Sequence, residues 1–341
     1  MGKVIFALDK GFGADKYAYR NSQGNVKMGK VNSAIASAPD DAPDDAPYFK
    51  NKKYYLGSLA LLSSTRDILN VMDYSEHQYF APLSLWNALN DAKIDDKDVG
   101  YYVFDISLAH KQHLAEFRRE LTSFTVNKTK YNLKDRITIM PQGVASRYAI
   151  DELYYKNAPD SEKNYAIIDI GQLTVDVVVI FNGKSREENA SGMAHLGIVK
   201  ITQGLQDHIV SNEKLGNIYS LKEVQKFLMD GKLPVFGEDF DLTEPINKLK
   251  KEYTKFLLTS LMDRHSNIFQ KISKIYLVGG GVYYLDMEEM KNFKGFPVKS
   301  LTISKDAEFF NAMGSLIGVE QAIARGVIPN VNYADFNQRR N

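Results

Sequence analysis

The feature that most constrains this chain is a pattern it contains twice. Tyr165 to Ile180 reads YAIIDIGQLTVDVVVI: an apolar run halts at Asp169-Ile170-Gly171 and resumes as a second run, as two antiparallel strands around a tight turn would. Near the start, Val4 to Leu8 runs into Asp9-Lys10-Gly11-Phe12-Gly13-Ala14-Asp15-Lys16, and Tyr17-Ala18-Tyr19 resumes as a strand. A carboxylate closing a strand, followed by glycine and then by Thr174 and Asp176, suits a loop that wraps phosphates and holds a metal ion. The same D-x-G between hydrophobic runs is also an ordinary hairpin turn. Duplication favours the first reading, because two such hairpins imply two similar domains facing one nucleotide.

Composition agrees with two domains. With 341 residues, 44% of them hydrophobic, the chain can fill two ordinary cores. Its 43 basic and 42 acidic residues nearly cancel, so no broad field argues for direct nucleic-acid or membrane binding. The absence of cysteine excludes disulfides, thiolate metal sites and a thiol nucleophile, and fits a reducing compartment. The opening MGKVIFALDK passes directly into a strand without a signal-like apolar region, and no later run reaches membrane-spanning length. The expectation is a soluble cytoplasmic protein.

Along the chain, Ser37 to Pro47 repeats Pro-Asp-Asp-Ala and reads as an acidic, solvated loop. A strand pair follows over Tyr48 to Leu56, turning at Asn51-Lys52, and Gly57 opens a helical segment with Leu59, Leu61 and Leu62. Leu83 to Leu89 is helical, with Trp86 assigned to the core. Gly100 to Leu108 is a buried strand, and Leu114, Phe117 and Leu121 mark the inner stripe of the next helix. Ile137 to Met140 is a strand broken by Pro141, after which Gln142 opens a helix to about Tyr154. An amide at that junction can orient a water beside a phosphate, or can be an ordinary first-turn residue.

The polar stretch Asn157 to Asn164 is taken as the domain boundary. Beyond the second hairpin, Ile198, Ile201, Leu205 and Ile209 line one helix face, Ser220 caps a helix with Glu223 in the capping-box position, and Leu249 to Leu261 carries a long amphipathic helix. Lys274 to Val278 is a strand ending in Gly279-Gly280-Gly281, where a backbone can approach a flat ring or a phosphate with no side chain between, unless the glycines serve packing. From Asp306 a helix runs through Asn311-Ala312-Met313-Gly314, whose small residues suit a close helix crossing.

These five pieces, in this order, resemble the actin-like ATPase superfamily, which includes actin, the Hsp70 ATPase domain and the sugar kinases. Asp9-x-Gly11-x-Gly13-x-x-Lys16 looks like its first phosphate loop, Gln142 like the start of its first connecting helix, and Asp169-x-Gly171-x-x-Thr174 like its second phosphate loop. Gly279 to Gly281 resembles the adenosine motif, and Asn311 to Gly314 the second connecting helix. Within the superfamily the likeness is to the plasmid-segregation actins of the ParM and Alp type, by the Pro-Gln-Gly opening of the connecting helix, the preceding strand and helix of Tyr101 to Leu121, and the length.

The resemblance implies an α/β fold of two similar domains, each a mixed five-stranded sheet flanked by helices, around a nucleotide cleft. Domain I would span 1–158, with a small subdomain at about 30–75 and a completing C-terminal helix at about 318–341; domain II would span 159–317. It implies an ATPase, with ATP or GTP and Mg²⁺ as ligands, that polymerises when nucleotide is bound and disassembles after hydrolysis, most readily to segregate plasmid DNA through a separate DNA-binding adaptor. Asp9 and Asp169 would hold Mg²⁺ largely through water. Gly11, Phe12 and Gly13 would offer N–H groups, and Lys16 its ammonium, to the phosphates. Gly171, Gln172, Leu173 and Thr174 would form the second phosphate loop, Gln142 and Asp169 would serve hydrolysis, and Gly279, Gly280 and Gly281 would face the adenosine. Glu223 and Lys226 are candidates for the ribose.

One departure is Phe12, where eukaryotic actin has serine: so large a side chain must leave the loop or press on a neighbour. Asp15, beside Lys16, is expected to weaken the lysine's field. A small-molecule kinase would need a further cleft carboxylate as base, for which only Asp176 offers itself. A shape-determining, organelle-aligning, phage or archaeal actin would share the same chemistry with a different cargo.

Overall fold

The computed structural model of the chain describes residues 3–43, 46–63, 68–69, 74–212, 215, 219–297 and 300–328. Part of the acidic loop and the end of the expected C-terminal helix lie outside the described residues. In chain order the first half gives β1 (Val4–Asp9), β2 (Ala14–Arg20), β3 (Val26–Asn32), β4 (Ile35–Ser37), β5 (Tyr48–Phe49), β6 (Lys52–Leu56), α1 (Tyr74–Tyr79), α2 (Ala81–Ala92), β7 (Val99–Ile106), α3 (Leu114–Thr122), β8 (Ser123–Val126), β9 (Thr129–Asn132), β10 (Ile137–Pro141) and α4 (Val144–Tyr154). The second half gives β11 (Tyr165–Ile170), β12 (Thr174–Phe181), β13 (Lys184–Ala194), α5 (Val199–Ser211), α6 (Leu221–Asp230), β14 (Lys232–Val235), β15 (Glu238–Asp241), α7 (Thr243–Phe269), β16 (Lys274–Val278), α8 (Met287–Asn292), β17 (Leu301–Ile303) and α9 (Phe310–Ala324).

The two halves build the same sheet. The first runs β3-β2-β1-β7-β10 and the second β13-β12-β11-β16-β17, each an antiparallel meander extended by two parallel strands. β1 and β11 are apolar at successive positions because both faces of each sheet are covered by helices. Phe6 and Leu8 of β1 join Phe104, Phe117 and Leu121 on one side, while Ile5 and Ala7 join Ala312, Leu316 and Val319 of α9 on the other. Likewise Ile168 and Val177 pack with Leu205 and Leu257, and Ile167 and Val178 with Ala149 and Ile150 of α4.

The packing therefore crosses over: α4 follows the first sheet but covers the second, and α9 follows the second sheet but covers the first. The two helices also touch each other. A Cβ at Gly314 would sit 1.9 Å from the Ala145 carbonyl oxygen, so only glycine allows this approach.

Some local expectations change. The hairpin between β5 and β6 turns at Lys50 and Asn51, both with positive φ, rather than at Asn51-Lys52. Leu114 is exposed while Phe117 and Leu121 are buried, and Trp86 is only partly buried against the core. The small sheet recruits β8 and β9 beside β4, β5 and β6, pairing Phe49 with Val126 far along the chain, which no local pattern announces. No helix among the described residues is long and apolar enough to cross a membrane.

Candidate functional site

The turns β1–β2 and β11–β12 face each other across a cavity of about 560 Å³, and all the phosphate, metal and adenosine residues expected from sequence line it: Asp9, Gly11 to Gly13, Lys16, Gln142, Asp169, Gly171 to Thr174 and Gly279 to Gly281. The cavity lies at the carboxyl ends of the parallel strands, where open α/β sheets hold ligands.

Each turn fixes some of its polar groups within the protein and leaves other N–H groups without a protein partner among the described residues. In the second turn the Gly171 N–H closes onto the Thr174 carbonyl (2.9 Å), and the carbonyls of Gly171, Gln172 and Leu173 accept from Ile198, Val199 and Gly197 at the start of α5. Among the described residues the N–H groups of Gln172 and Leu173 then have no protein acceptor. In the first turn the Gly11 N–H is bonded to Asp15 Oδ1 (3.2 Å), so it is not among the free donors, whereas those of Phe12 and Gly13 have no protein acceptor among the described residues. Two pairs of unengaged amides facing one cavity form an anion-binding arrangement.

The carboxylates are held by amides from the connecting helices. Gln142, just before α4, donates Nε2 to Asp9 Oδ1 at 2.6 Å. Asn311 on α9 donates Nδ2 to Asp169 Oδ2 at 2.6 Å, and its Oδ1 accepts from the Gly143 N–H (3.0 Å) and from Ser146 Oγ (2.6 Å). One buried side chain thus ties the start of α4 to the second acidic turn. At the end of β16, Gly279 has φ +86°, and a Cβ there would lie 2.3 Å from Asp169 Oδ1.

Burial raises the carboxyl of Asp9, opposed by Lys16 and the Gln142 bond, and pushes Asp169 up to about 6, with Asp9 adding repulsion. Lys16 Nζ stands 3.7 Å from Asp9 Oδ2. A third acid, Asp105 at the end of β7, also lines the cavity; burial and then Asp9 hold it well above the carboxylate range, Ser315 donates to its Oδ1, and its Oδ2 has no partner among the described residues. The cavity wall also carries Lys10, Lys30, Lys250 and Glu308, of which Lys30 pairs with Glu308 at 2.9 Å. No group of three or more His, Cys, Asp or Glu among the described residues is arranged to chelate a metal directly. The donor set therefore fits a hard cation that keeps its water and meets carboxylates at a distance.

Several expectations need correction. Asp15 does not face Lys16: strand alternation turns it to the other side of β2, where it accepts from Gly11 and stands 3.9 Å from Lys10 Nζ. Asp176 is neither a cavity ligand nor a spare base, because it is buried and engaged by Ser107 Oγ (3.0 Å) and the Leu108 N–H (3.2 Å). The further cleft carboxylate is Asp105 instead, and its signal was available: like Asp9 and Asp169, it closes an apolar strand. Glu223 is engaged in the capping box with Ser220, and Lys226 pairs with Asp230. The α6 residues that line the cavity are Gln225, Leu228 and Met229. Phe12 presses on its neighbours, its ring stacked on His77 (centroids 4.0 Å apart, 21° between planes) and close to Tyr74 and His110.

Comparison with known proteins agrees with this geometry. A model of the family described as archaeal actin homologue MreB-like, C-terminal, matches residues 167–291. No curated protein matches the chain in sequence. Among solved structures, a subunit of a 15-stranded ParM filament from Clostridium botulinum aligns with TM-score 0.72 and 20% identity over 94% of this chain and 100% of that one. An archaeal actin homologue in complex with ADP aligns with TM-score 0.66 and 15% identity over 93% and 99%. Bacillus thuringiensis ParM with ATP aligns with TM-score 0.59 and 16% identity over 94% and 100%.

Proposed function

Taking as premise a chain with the two-domain actin-like fold, we propose that it is a Mg-ATP-dependent ATPase that assembles into filaments and segregates plasmid DNA through a separate DNA-binding adaptor. The observation that carries the nucleotide reading is the convergence of Asp9 with Gln142, Asp169 with Asn311, and four unengaged turn amides on one cavity. The Phe12 and Gly13 amides would bind phosphate oxygens from one side and those of Gln172 and Leu173 from the other, with Lys16 adding its charge. Gly279 to Gly281 would let the backbone approach the adenosine.

For hydrolysis, the donor end of the Gln142 amide is held by Asp9, which leaves its carbonyl oxygen to accept from an attacking water. Asp9 and Asp169 would hold Mg²⁺ through its water shell, and the ion would supply charge compensation on the phosphates. A kinase would instead need a cleft carboxylate to accept the proton of the substrate hydroxyl. A kinase is the second reading, in which Asp105 would serve as base only once substrate exposed its buried oxygen and lowered its raised pKa.

Filament formation is supported by the ParM filament subunit of the same fold, and the plasmid role by likeness to that group alone. Pelleting and light scattering of the purified chain with ATP, AMPPNP and ADP test the assembly reading. Sedimentable polymer with ATP or AMPPNP is expected; a chain monomeric with both ends it. Stoichiometric transfer of the γ-phosphate to a small alcohol would favour the kinase.

A further inference from the structure

Lys222 does something the nucleotide reading leaves unexplained. It lies in the first turn of α6, in the second half of the chain, and its side chain is 5% exposed. Its Nζ donates to the Phe12 carbonyl at the tip of the first turn and to Ser33 Oγ (2.8 Å), and Ser33 Oγ donates to the same carbonyl (2.8 Å). Ser33 sits where the chain leaves β3 for the small sheet. One lysine thus reaches from one side of the cleft to two points on the other. One turn along α6, Gln225 lies against Gly13, whose built Cβ would be 2.8 Å from Gln225 Nε2.

A buried ammonium whose hydrogen bonds go to neutral oxygens is costly, and among the described residues the charge of Asp15, beyond ion-pair distance, offsets part of that cost. Burial lowers its pKa to about 7. Its geometric effect follows from peptide planarity: in a trans peptide the carbonyl and the N–H point opposite ways. Holding the Phe12 carbonyl toward α6 directs the Gly13 N–H of the same peptide away from α6 and into the turn. The other end of Phe12 is fixed too, by its ring on His77.

We propose that Lys222 is a positioning residue for the terminal phosphate: by gripping the Phe12 carbonyl from across the cleft, it aims the Gly13 N–H and makes γ-phosphate recognition conditional on cleft closure. This rests on the nucleotide reading above. A group acting on one peptide of the first turn affects the terminal phosphate more than the base or ribose, so Lys222 governs the preference for ATP over ADP.

The test is calorimetric titration of wild type, Lys222→Met, Lys222→Arg and Ser33→Ala with Mg-ADP and Mg-AMPPNP, with thermal melting of each. Loss of a charge-assisted hydrogen bond predicts for Lys222→Met an AMPPNP affinity about tenfold lower, with ADP affinity changed less than about threefold. Lys222→Arg, which keeps donors, should recover part of the preference, and Ser33→Ala should lose a smaller part. Equal losses for both nucleotides would reduce Lys222 to a structural residue, and unchanged affinities would refute the proposal; either leaves the nucleotide reading standing. If Lys222→Met does not fold, Ser33→Ala with an unaltered AMPPNP to ADP ratio refutes it. Wild type that binds neither nucleotide removes the nucleotide reading and this proposal with it.

Discussion

Replacing Asn311 by leucine tests whether one buried amide holds the two halves of the site in register. Leucine keeps the branched shape and opens no cavity, but it is bulkier than asparagine, so overpacking adds to the polar loss. The change removes the donor to Asp169 Oδ2 and the acceptor shared by the Gly143 N–H and Ser146 Oγ. A hydrogen bond to a charged group contributes about 1.5–3 kcal/mol, and a buried N–H left unpaired costs about 1–3 kcal/mol. Protonation of Asp169, already raised by burial, and rotation of the Ser146 hydroxyl recover part of this, which leaves about 2–5 kcal/mol. For a chain of this length that is a fall of roughly 3–7 °C in melting temperature. Circular dichroism melts of wild type, Asn311→Leu and Asn311→Ala measure it, with the first transition compared where the two halves unfold separately. Asn311→Ala, which opens a cavity but relieves the crowding of the bulkier leucine, should show a loss of the same order. A leucine variant melting within about 1 °C of wild type would refute the argument, because less than about 1 kcal/mol cannot cover the lost partners.

Other outcomes follow from the same geometry. Gln142→Ala should slow phosphate release by about tenfold to a hundredfold while leaving pelleting with AMPPNP intact, and unchanged hydrolysis would remove Gln142 from water positioning. Asp169→Ala should weaken nucleotide binding and assembly together, as titration and sedimentation would read. Gly314→Val should unfold the chain or shift α4 from α9, since the new Cβ meets the Ala145 carbonyl; a melt matching wild type would show the helices to be farther apart. His110 is lowered by burial to about 4 from an ordinary value near 6.5, so the folded state binds fewer protons than the unfolded one across that window. Its contribution is present above pH ~6.5 and lost as pH falls toward ~4. His110→Phe should flatten that acid slope in urea melts at several pH values.

Much of this was legible because the site is carried by short local patterns. Strand, acid, glycine and strand again is a complete local instruction, and its repetition at Asp9 and Asp169 announced both the paired sheets and the cavity between them. The capping box at Ser220 and the close crossing at Gly314 were readable for the same reason. What sequence left obscure depends on which way a side chain turns or on partners far away in the chain. Asp15 and Asp176 look like site residues by position, yet strand alternation aims one at Lys10 and packing commits the other to Ser107. Asn311 read only as a small residue in a crossing helix, since its partner Asp169 is 142 positions away. Lys222 and Ser33 meet across 189 positions with no shared pattern.

Because α4 and α9 are exchanged between the sheets, the chain is not two beads on a string. An excised first half would keep its sheet but lose α9, leaving Ile5, Ala7, Tyr101 and Val103 bare to water while α4 carried an orphaned apolar face. Neither fragment should be soluble alone, yet mixed together they should find each other. Any rotation of one half against the other must pivot about this pair of braided helices, as a pair of scissors turns on its rivet.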